Sequence, residues 1–336
     1  MIKIPSQIEK KREEFNYEIS NKGETAHIVF GIDNLFVEPM AVCVLSLIEH
    51  NKDLPITIHV ITVSISDQNK VRLKNMAHEN SLHIILHFVD KNIFKNFPST
   101  LSYTSATYNR FLIPMLLDSD IDRALYLDAD ILCFGSISEL FSLNIDQVLL
   151  AAIEDHSWNG GKNKVSAEKL RKTGFKCDRY FNAGVLLINL NKWRNEHIPE
   201  KALTNLSEHS DTFSFLDQDA LNSVANGRIL FLDRKYNYMY SVDDRNIPVP
   251  DLKNISLLHY TNRYKLWQSW CDHPLQQEYI RLRNKTEWKN VPLLLPRTYK
   301  DMRCMSRYMR RHGQYMQSIL WMLKYCIYNS NFAYPK

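Results

Sequence analysis

Over residues 27–89 the sequence alternates between short, β-branched apolar stretches and longer amphipathic ones. The apolar stretches have the composition of buried strands, and the amphipathic ones have the apolar spacing of helices. In chain order these elements are residues 27–32, 38–50, 56–63, a helix that starts after Ser66, and residues 82–89. Such alternation is typical of βαβ units, so it predicts an α/β fold with a mainly parallel central sheet. Ligands of these sheets bind beyond the carboxyl ends of the strands, which makes Asp33 a first candidate.

Special residues and apolar runs exclude several classes of protein. Nine Gly and twelve Pro in 336 residues are too few for a collagen-like or low-complexity chain. The six cysteines stand far apart without a CxxC pair, so they signal neither a zinc site nor a disulfide framework. No apolar run approaches the ~20 residues of a transmembrane helix, and the polar lead-in has no apolar signal region. We therefore expect a cytoplasmic protein without a transmembrane helix.

The net charge of +5 is concentrated in the C-terminal tail. Residues 297–336 carry eight Lys and Arg but only one acid, so the rest of the chain is slightly negative. A nucleic-acid-binding domain would carry its basic side chains across the fold, so we expect no nucleic-acid partner. Met302, Met309, Met316 and Leu323 recur every seven residues, with arginines on the opposite face of the predicted helix. Two interpretations stay open: a helix packed on the domain with a solvated basic side, or a helix on an anionic membrane surface.

Two carboxylates after an apolar strand form the most informative motif. Residues 124–127 are apolar, Asp128 and Asp130 follow with Ala129 between them, and an apolar run resumes at Ile131. In extended backbone Asp128 and Asp130 point to the same side. Paired carboxylates suit Mg²⁺ or Mn²⁺, and without a cation their charges would repel in apolar surroundings. The alternative is an exposed, Asp-rich turn, but the position at a strand end favours a metal site.

Two further clusters have an ordinary structural explanation beside a functional one. The run Asp217-Gln218-Asp219 fits a helix start, where carboxylates cap free N–H groups. His259 follows an apolar pair and fits a core or edge position, although a neutral imidazole could complete a cation's coordination, with Lys265 near for a phosphate. GxGxxG, GxxxxGK[ST], GxSxG and HExxH motifs are all absent from the sequence. Their absence removes the Rossmann dinucleotide, P-loop, serine hydrolase and zinc protease interpretations.

Four segments together resemble glycosyltransferase family 8 in their order and spacing. They are residues 126–130 (YLDAD), 180–193 (YFNAGVLLINLNKW), 217–219 (DQD) and 259–267 (HYTNRYKLW). The N-terminal extension and the basic C-terminal segment are similar to those of the bacterial lipopolysaccharide core α-glycosyltransferases of that family. The resemblance implies a GT-A fold. It divides the chain into an N-terminal extension (1–26), a single nucleotide-sugar-binding catalytic domain (27–270) and a helical, basic C-terminal segment (271–336).

The resemblance also implies an activity and its partners. The activity is that of a retaining, metal-dependent hexosyltransferase, which moves glucose or galactose from UDP-glucose or UDP-galactose and forms an α-glycosidic bond. The cofactor would be Mn²⁺ or Mg²⁺, and the acceptor would be the lipopolysaccharide outer core. Through its basic C-terminal helix the enzyme would be peripheral on the anionic cytoplasmic face of the bacterial inner membrane.

Family roles carry over to individual residues by motif position. The implied metal ligands are Asp128, Asp130 and His259. The implied UDP-sugar contacts are Gly31, Asp33, Arg110, Asp128, Ala129, Asn182, Ala183, Asp217, Gln218 and Lys265. Among the catalytic candidates, Asp217 matches a ligand of the donor sugar's hydroxyls and Gln218 matches the residue beneath the anomeric carbon. Asp219 is a conceivable nucleophile, and Lys265 matches the lysine that binds the diphosphate.

Some positions depart from the family pattern, and some questions stay open. Leu35 stands where relatives often carry Asn, and Asn262 and Leu266 replace a usual Gly and Pro. Without that Gly we expect a less close approach of the backbone to the diphosphate. Retention fits front-face attack, which we favour, or a covalent intermediate. Alternative functions are a metal-dependent nucleotide-sugar phosphohydrolase and a non-catalytic carbohydrate- or membrane-binding homologue with the GT-A fold.

Overall fold

An eight-stranded sheet organises the first of two compact units into which the chain divides. The computed structural model describes residues 1–5, 7–17, 25–98, 105–155, 164–242 and 248–333. The first unit is formed by Met1–Met239 with Asp251–His259, and the second by Tyr240–Pro250 with Tyr260–Lys336. This division differs from the expected boundaries after residues 26 and 270, which stay predictions.

The helices and strands have the following bounds. The strands are β1 (Glu9–Asn16), β2 (Ala26–Gly31), β3 (Ile56–Thr62), β4 (His83–Val89), β5 (Arg123–Leu127), β6 (Ile131–Cys133), β7 (Leu150–Glu154), β8 (Phe181–Asn189), β9 (Ile229–Phe231), β10 (Tyr238–Ser241) and β11 (Leu257–Thr261). The helices are α1 (Val37–His50), α2 (Asp67–Glu79), α3 (Ile113–Leu116), α4 (Ser138–Phe141), α5 (Lys164–Arg171), α6 (Leu190–Asn195), α7 (Ile198–Glu208), α8 (Leu216–Ala225), α9 (Gln276–Arg283), α10 (Tyr299–Arg311) and α11 (Tyr315–Ala333).

The large sheet has the strand order β1-β4-β3-β2-β5-β8-β7-β9. Neighbours from β4 to β5 run parallel, as do β7 and β9, whereas β1 and β8 pair antiparallel with their neighbours. The predicted α/β fold with a mainly parallel sheet is therefore confirmed. The register Val29↔Tyr126 between β2 and β5 brings Gly31 level with Asp128 when it is continued by two residues. A smaller sheet has the order β10-β11-β6.

The strand β1 is an element that the sequence pattern did not predict. Six of its eight residues, EKKREEFN, are charged, and it pairs antiparallel with β4 from Glu9↔Val89 to Asn16↔His83. Charged edge strands are common because their charges oppose edge-to-edge aggregation. They lack the apolar alternation by which strands are recognised, so part of the expected N-terminal extension belongs to the sheet.

A row of histidine side chains crosses the parallel strands of the sheet. His27 Nδ1 lies 3.0 Å from His59 Nε2, and His59 Nδ1 lies 3.1 Å from His87 Nε2. At the end of the row, His87 Nδ1 lies 2.6 Å from a carboxylate oxygen of Glu9 on β1. Burial lowers the pKa of all three histidines, and that of His59 falls well below its usual range, because its two histidine neighbours add to the effect.

This row predicts that the protein loses stability in mild acid. A histidine whose pKa is lowered by folding binds fewer protons in the folded than in the unfolded state, so its contribution to stability is complete above the unfolded pKa. The contribution of the three histidines to the free energy of unfolding, measured with urea, should therefore fall as the pH drops below about 6.5. The free energy of unfolding should depend less steeply on pH in His59→Gln. In the exposed control His197→Gln, its pH dependence should be unchanged. An equal slope in His59→Gln would contradict the prediction.

The second unit contains α9, α10 and α11, and its last two helices differ from the single helix that the seven-residue repeat predicts. Helix α10 ends at Arg311, the chain turns at Gly313 with φ +72°, and α11 starts at Tyr315. Met302 is buried on α10, but Met316 of the same repeat is 80% exposed. The repeat therefore spans two helices with different surroundings. Among the described residues, we find no helix that combines the length and the apolarity needed to cross a membrane.

Candidate active site

Strand β5 places a carboxylate at the carboxyl edge of the large sheet. Asp128 directly follows the buried strand, and its N–H donates to the carbonyl of Gly184 on β8 at 2.8 Å. Asp128 Oδ1 accepts hydrogen bonds from the Tyr126 hydroxyl at 2.7 Å and from Arg110 Nη2 at 3.0 Å. The side chains of Asp128 and Asp130 are 28% and 15% exposed. The predicted pair of carboxylates therefore lies in a half-buried turn directly after β5, and neither in the expected extended backbone nor in an exposed turn.

His259, on β11, brings an imidazole against both carboxylates. The strand pairs with β6 so that His259 lies opposite Ile131. His259 Nε2 lies 3.2 Å from Asp130 Oδ1 and 3.9 Å from Asp128 Oδ2. One potential ligand atom of each of the three residues lies within 4.8 Å of the other two. Two carboxylate oxygens and one imidazole nitrogen form a donor set that suits a divalent cation such as Mn²⁺, so these residues fit the expected metal.

Gly184 lets β8 pass close beneath this cluster. A Cβ atom at this position would contact His259 Cε1 and would lie 2.8 Å from His259 Nδ1 and 2.9 Å from Asp128 Oδ2. Real Cβ atoms do not approach other atoms so closely, so no side chain fits here without displacing a predicted metal ligand. A glycine inside a strand often marks a close approach of this kind.

Arg110 is buried and joins three parts of the site. Its Nε lies 3.1 Å from Asp217 Oδ2, and its Nη1 and Nη2 donate to the Ala183 carbonyl at 2.6 Å and to Asp128 at 3.0 Å. The guanidinium also stacks on Tyr126, with 4.4 Å between Cζ and the ring centroid. A buried guanidinium with these partners orients and partly neutralises two carboxylates. The donor contact that the resemblance implies for Arg110 stays a prediction.

A strained turn presents the run Asp217-Gln218-Asp219 at the start of α8. Leu216 has φ +37°, in the left-handed region that leucine rarely adopts, and such strain is concentrated at functional sites. Asp219 accepts hydrogen bonds from two backbone N–H groups of this turn at 2.6 and 2.7 Å and from the Tyr180 hydroxyl at 2.7 Å. Burial raises the pKa of Asp219, and these hydrogen bonds oppose the shift. Asp219 thus stabilises the turn that leads into the helix, and the predicted capping of free N–H groups within the helix is not what it does.

The neighbouring residues of the run make different contacts. Burial raises the pKa of Asp217 to about 7, and the positive charge of Arg110 offsets only part of that effect. Gln218 Oε1 accepts hydrogen bonds from the Ala183 N–H at 2.9 Å and from Asn182 Nδ2 at 3.2 Å. The fold thus brings together two predicted segments that lie 35 residues apart in the chain.

The expected uridine contacts lie at the end of β2. A Cβ atom on Gly31 would lie 2.9 Å from the Cβ of Asn109, so the position is close-packed. Asp33 caps the following turn by accepting a hydrogen bond from the Leu35 N–H at 2.8 Å, and Leu35 itself is exposed. Ala129, another expected donor contact, is buried beside Asp128. The contacts of these residues with a nucleotide stay predictions.

Lys265 and the substituted positions of its segment belong to the second unit. Lys265 Nζ donates to the carbonyl of Tyr260. Asn262 has φ +71°, and its side chain donates to Ser241 Oγ at 2.8 Å. Asn tolerates the left-handed region better than most residues, so Asn262 adopts a backbone conformation typical of the Gly that it replaces. Leu266, in place of the usual Pro, is fully buried.

The residues of the site that sequence analysis missed are Tyr126, Tyr180, Gly184 and Asn237. Gly184 had a signal, because it interrupts an apolar strand, but it was not assigned a role. The two tyrosines lie inside the recognised segments, where an aromatic residue is usually part of the core. Asn237 belongs to no recognised segment, and only the fold brings it to His259.

The sequence of the chain matches two family models. The model described as Glycosyl transferase family 8 matches residues 27–271, and the one described as Glycosyl transferase family 8 C-terminal matches residues 273–328. Together they cover the two aspartates after β5, the α8 run, His259, the helices α9 and α10, and α11 as far as residue 328.

Curated relatives and solved structures agree with these matches. The chain is 31% identical over 322 residues to the lipopolysaccharide 1,3-galactosyltransferase of Salmonella typhimurium, covering 93% of this chain and 94% of the relative. It is 28% identical over 279 residues to a lipopolysaccharide 1,2-glucosyltransferase of Escherichia coli, covering 80% and 81%. The crystal structure of galactosyltransferase LgtC with donor and acceptor sugar analogs is similar with a TM-score of 0.66 and 26% identity, covering 78% of this chain and 99% of LgtC. The chain therefore belongs to glycosyltransferase family 8, has the GT-A fold of LgtC and is a glycosyltransferase.

Proposed function

We propose that the chain is a retaining, metal-dependent hexosyltransferase, which moves glucose or galactose from a UDP-sugar to the lipopolysaccharide outer core with an α-glycosidic bond. The observation that carries this proposal is the cluster of Asp128, Asp130 and His259 at one edge of the sheet. The hydrogen-bonded side chains of Asn182 and Gln218 lie at the same edge. The names of the Salmonella and Escherichia relatives support the choice of hexose and acceptor.

The metal end of the site would hold Mn²⁺ or Mg²⁺ on Asp128, Asp130 and His259. When bound, such a cation supplies positive charge that stabilises the departing nucleoside diphosphate. The protein prepares Asp128 for this role, because Tyr126 and Arg110 both donate to Oδ1 and leave Oδ2 on the side of His259.

The sugar end of the site would be formed by Asp217 and Gln218. Asp217 is buried against Arg110 and offers carboxylate oxygens to sugar hydroxyls. The amide of Gln218 is held by Ala183 and Asn182, so its position beneath the anomeric carbon would not depend on the substrate. Fixed polar groups of this kind orient a substrate without reorganisation during the reaction.

Front-face attack is the route to retention that these contacts favour. Both carboxylate oxygens of Asp219 already accept hydrogen bonds, three in all, and a nucleophilic role would require the protein to break them. The amide of Gln218 is a weak nucleophile. In front-face attack the acceptor oxygen bonds to the anomeric carbon as the bond to the diphosphate breaks, and the departing phosphate oxygen takes the acceptor's proton.

A donor panel tests the proposed function. Purified protein with Mn²⁺ would be given UDP-glucose, UDP-galactose or their N-acetyl forms together with truncated lipopolysaccharide cores. We expect UDP release and a glycosylated core with one of the two hexoses. Release of phosphate without glycosylation would instead support a phosphohydrolase, and binding of the sugar nucleotide without any product would support a non-catalytic homologue.

We also propose that the second unit associates with the anionic cytoplasmic face of the inner membrane through α10 and α11. The two helices approach closely at Ser306 and Ser318, whose hydroxyls each donate to the other's backbone carbonyl at 2.8 Å. Beyond this contact α11 exposes large side chains, namely Tyr315, Met316, Ile319, Leu320, Met322, Leu323, Ile327 and Tyr328. An exposed apolar face beside exposed arginines fits a helix that lies in the membrane interface.

Vesicle sedimentation tests this association. Arg311 is paired with Asp272 at 2.9 Å, so the arginines to neutralise are Arg303, Arg307 and Arg310. At about 1 kcal/mol for each charge, their replacement by Gln should weaken binding to phosphatidylglycerol vesicles by about 100-fold. Ile319→Gln combined with Leu323→Gln should also reduce binding, whereas Val71→Gln, an exposed apolar position on α2, should not. Unchanged binding in both test variants would leave α10 and α11 as packing elements only.

A further inference from the structure

We propose that Asn237 is a positioning residue for the metal site: its side-chain carbonyl holds the Nδ1–H of His259, so that Nε2 is the nitrogen left to bind a cation. This inference rests on the proposed metal-dependent function, because it names the residue that prepares one of the three ligands. Asn237 is not part of any segment that carries the family resemblance.

Asn237 lies between the two ends of the site. It ends the short 3₁₀ turn Arg234–Asn237 before β10, and its side chain is completely buried. Its Nδ2 donates to Asn182 Oδ1 at 2.9 Å, and its Oδ1 lies 3.0 Å from His259 Nδ1. A buried amide in this position must have hydrogen-bonding partners on both sides, because an unsatisfied polar group is costly in the interior.

Two backbone N–H groups determine which way the side-chain amides point. The N–H of Gly184 donates to Asn182 at 2.9 Å, and the N–H of Ala183 donates to Gln218 at 2.9 Å. A backbone N–H can only donate, so each of these two amides must turn its oxygen toward it. Asn182 therefore presents Oδ1 to Asn237, and the NH₂ group of Asn237 must point toward Asn182 to donate to it.

The orientation of Asn237 decides the protonation pattern of His259. With its NH₂ on Asn182, Asn237 presents its carbonyl oxygen to the imidazole, and only a protonated Nδ1 can donate to it. In the neutral imidazole the lone pair then lies on Nε2, the nitrogen that faces Asp130 and Asp128 at 3.2 and 3.9 Å. Hydrogen bonds to the other nitrogen of a metal-binding histidine typically orient the ring and strengthen binding.

The same chain of hydrogen bonds continues to the sugar end. Asn182 Nδ2 donates to Gln218, Gln218 Nε2 donates to the Tyr180 hydroxyl at 3.1 Å, and that hydroxyl donates to Asp219 at 2.7 Å. Every donor from His259 onward points toward the Asp219 carboxylate, which can only accept when it is ionised. Asp219 and the backbone of β8 thus support the orientation of Asn237 from a distance.

Metal affinity measures the role of Asn237 directly. We expect Asn237→Leu, which is similar in size but offers no carbonyl, to weaken Mn²⁺ binding to the full chain by about 10- to 100-fold. The dissociation constant would be measured from the electron paramagnetic resonance signal of free Mn²⁺, with and without UDP. Asn237→Asp keeps an acceptor for the Nδ1–H but loses the N–H donor to Asn182, so it should bind Mn²⁺ more tightly than Asn237→Leu does.

The tautomer is a second readout that a purely structural role would not move. Nitrogen-15 shifts of His259 in metal-free protein at alkaline pH should show the Nδ1–H form, and Asn237→Leu should lose that preference. Asn189→Leu is a matched control. Asn189 is also buried, but it lies at the end of β8 away from the site, where its side chain donates to the carbonyl of Ile145. It should lower the melting temperature without changing Mn²⁺ affinity.

The outcomes separate this inference from the proposed function. If the unchanged protein binds no Mn²⁺, the metal-dependent function fails. If it binds Mn²⁺ and Asn237→Leu binds it equally well with an unchanged His259 tautomer, only the role of Asn237 is overturned. If Asn237→Leu does not fold, Asn237→Ser, whose hydroxyl is too short to reach the imidazole, gives the same test.

Discussion

Asp130→Ala is expected to reduce glycosyl transfer by more than about 100-fold and to leave the fold intact. Loss of a residue that merely orients a metal ligand typically costs 10- to 100-fold, so loss of a ligand itself should cost more. Stability should change little, because the substitution removes one of two neighbouring like charges and not an apolar contact. Initial rates of UDP release and the melting temperature measure the two effects.

A surface carboxylate provides the matched control for this prediction. Asp146 is exposed on the same unit, so Asp146→Ala should retain full transfer. Raising Mn²⁺ should not restore Asp130→Ala to the rate of the unchanged protein. Transfer by Asp130→Ala at a rate similar to that of the control would show that the carboxylate pair is not a metal site.

Gly184→Ala should also disable the site, although it adds only one methyl group. The new Cβ would lie 2.8 Å from His259 Nδ1 and 2.9 Å from Asp128 Oδ2, so both side chains must move. A misplacement of about 1 Å in an active site can cost about 100-fold in rate, and overpacking costs about 1–3 kcal/mol of stability. Transfer rate and urea unfolding would measure both effects, and Mn²⁺ affinity should fall with the rate.

Gly135→Ala is the control for the added methyl group. Its Cβ would meet no atom closer than Ser256 Oγ at 3.2 Å, so we expect a small change in stability and normal Mn²⁺ affinity. If Gly184→Ala kept both its metal affinity and its rate, the close approach of β8 to the ligands would have no functional consequence.

The predicted parts of the fold are those whose local pattern agrees with their surroundings. Strands β2 to β4 are buried in the sheet and rich in β-branched residues. The helix after Ser66 has its predicted cap, because Ser66 Oγ accepts a hydrogen bond from the Asn69 N–H at 3.3 Å. Strand β1 was missed because its charges reflect its place at the sheet edge. The break between α10 and α11 was missed because the seven-residue repeat continues through Gly313, although glycine there adopts φ +72°.

From the residues alone, the candidate site could be predicted only where its chemistry is carried by one segment, and the family resemblance was needed to add His259 to the two aspartates. Asp128 and Asp130 directly follow a buried strand and are one residue apart, so their proximity could be predicted, although a turn at Ala129 and Asp130 replaces the expected extended backbone. The run from Asp217 to Asp219 was recognised, but its local pattern does not separate Asp219, which holds the preceding turn, from the residues that face the site. The link from Asn182 to Asn237 joins residues 55 positions apart, and only the fold brings them together.

Metal removal followed by metal restoration tests the central claim most directly. The purified protein would be stripped with a chelator, and transfer from the active UDP-hexose to a truncated core would be followed as Mn²⁺ or Mg²⁺ is added back. We expect no transfer without the cation, recovery as the cation is restored, and no recovery in Asp130→Ala. Transfer at an undiminished rate by the stripped protein would contradict this claim.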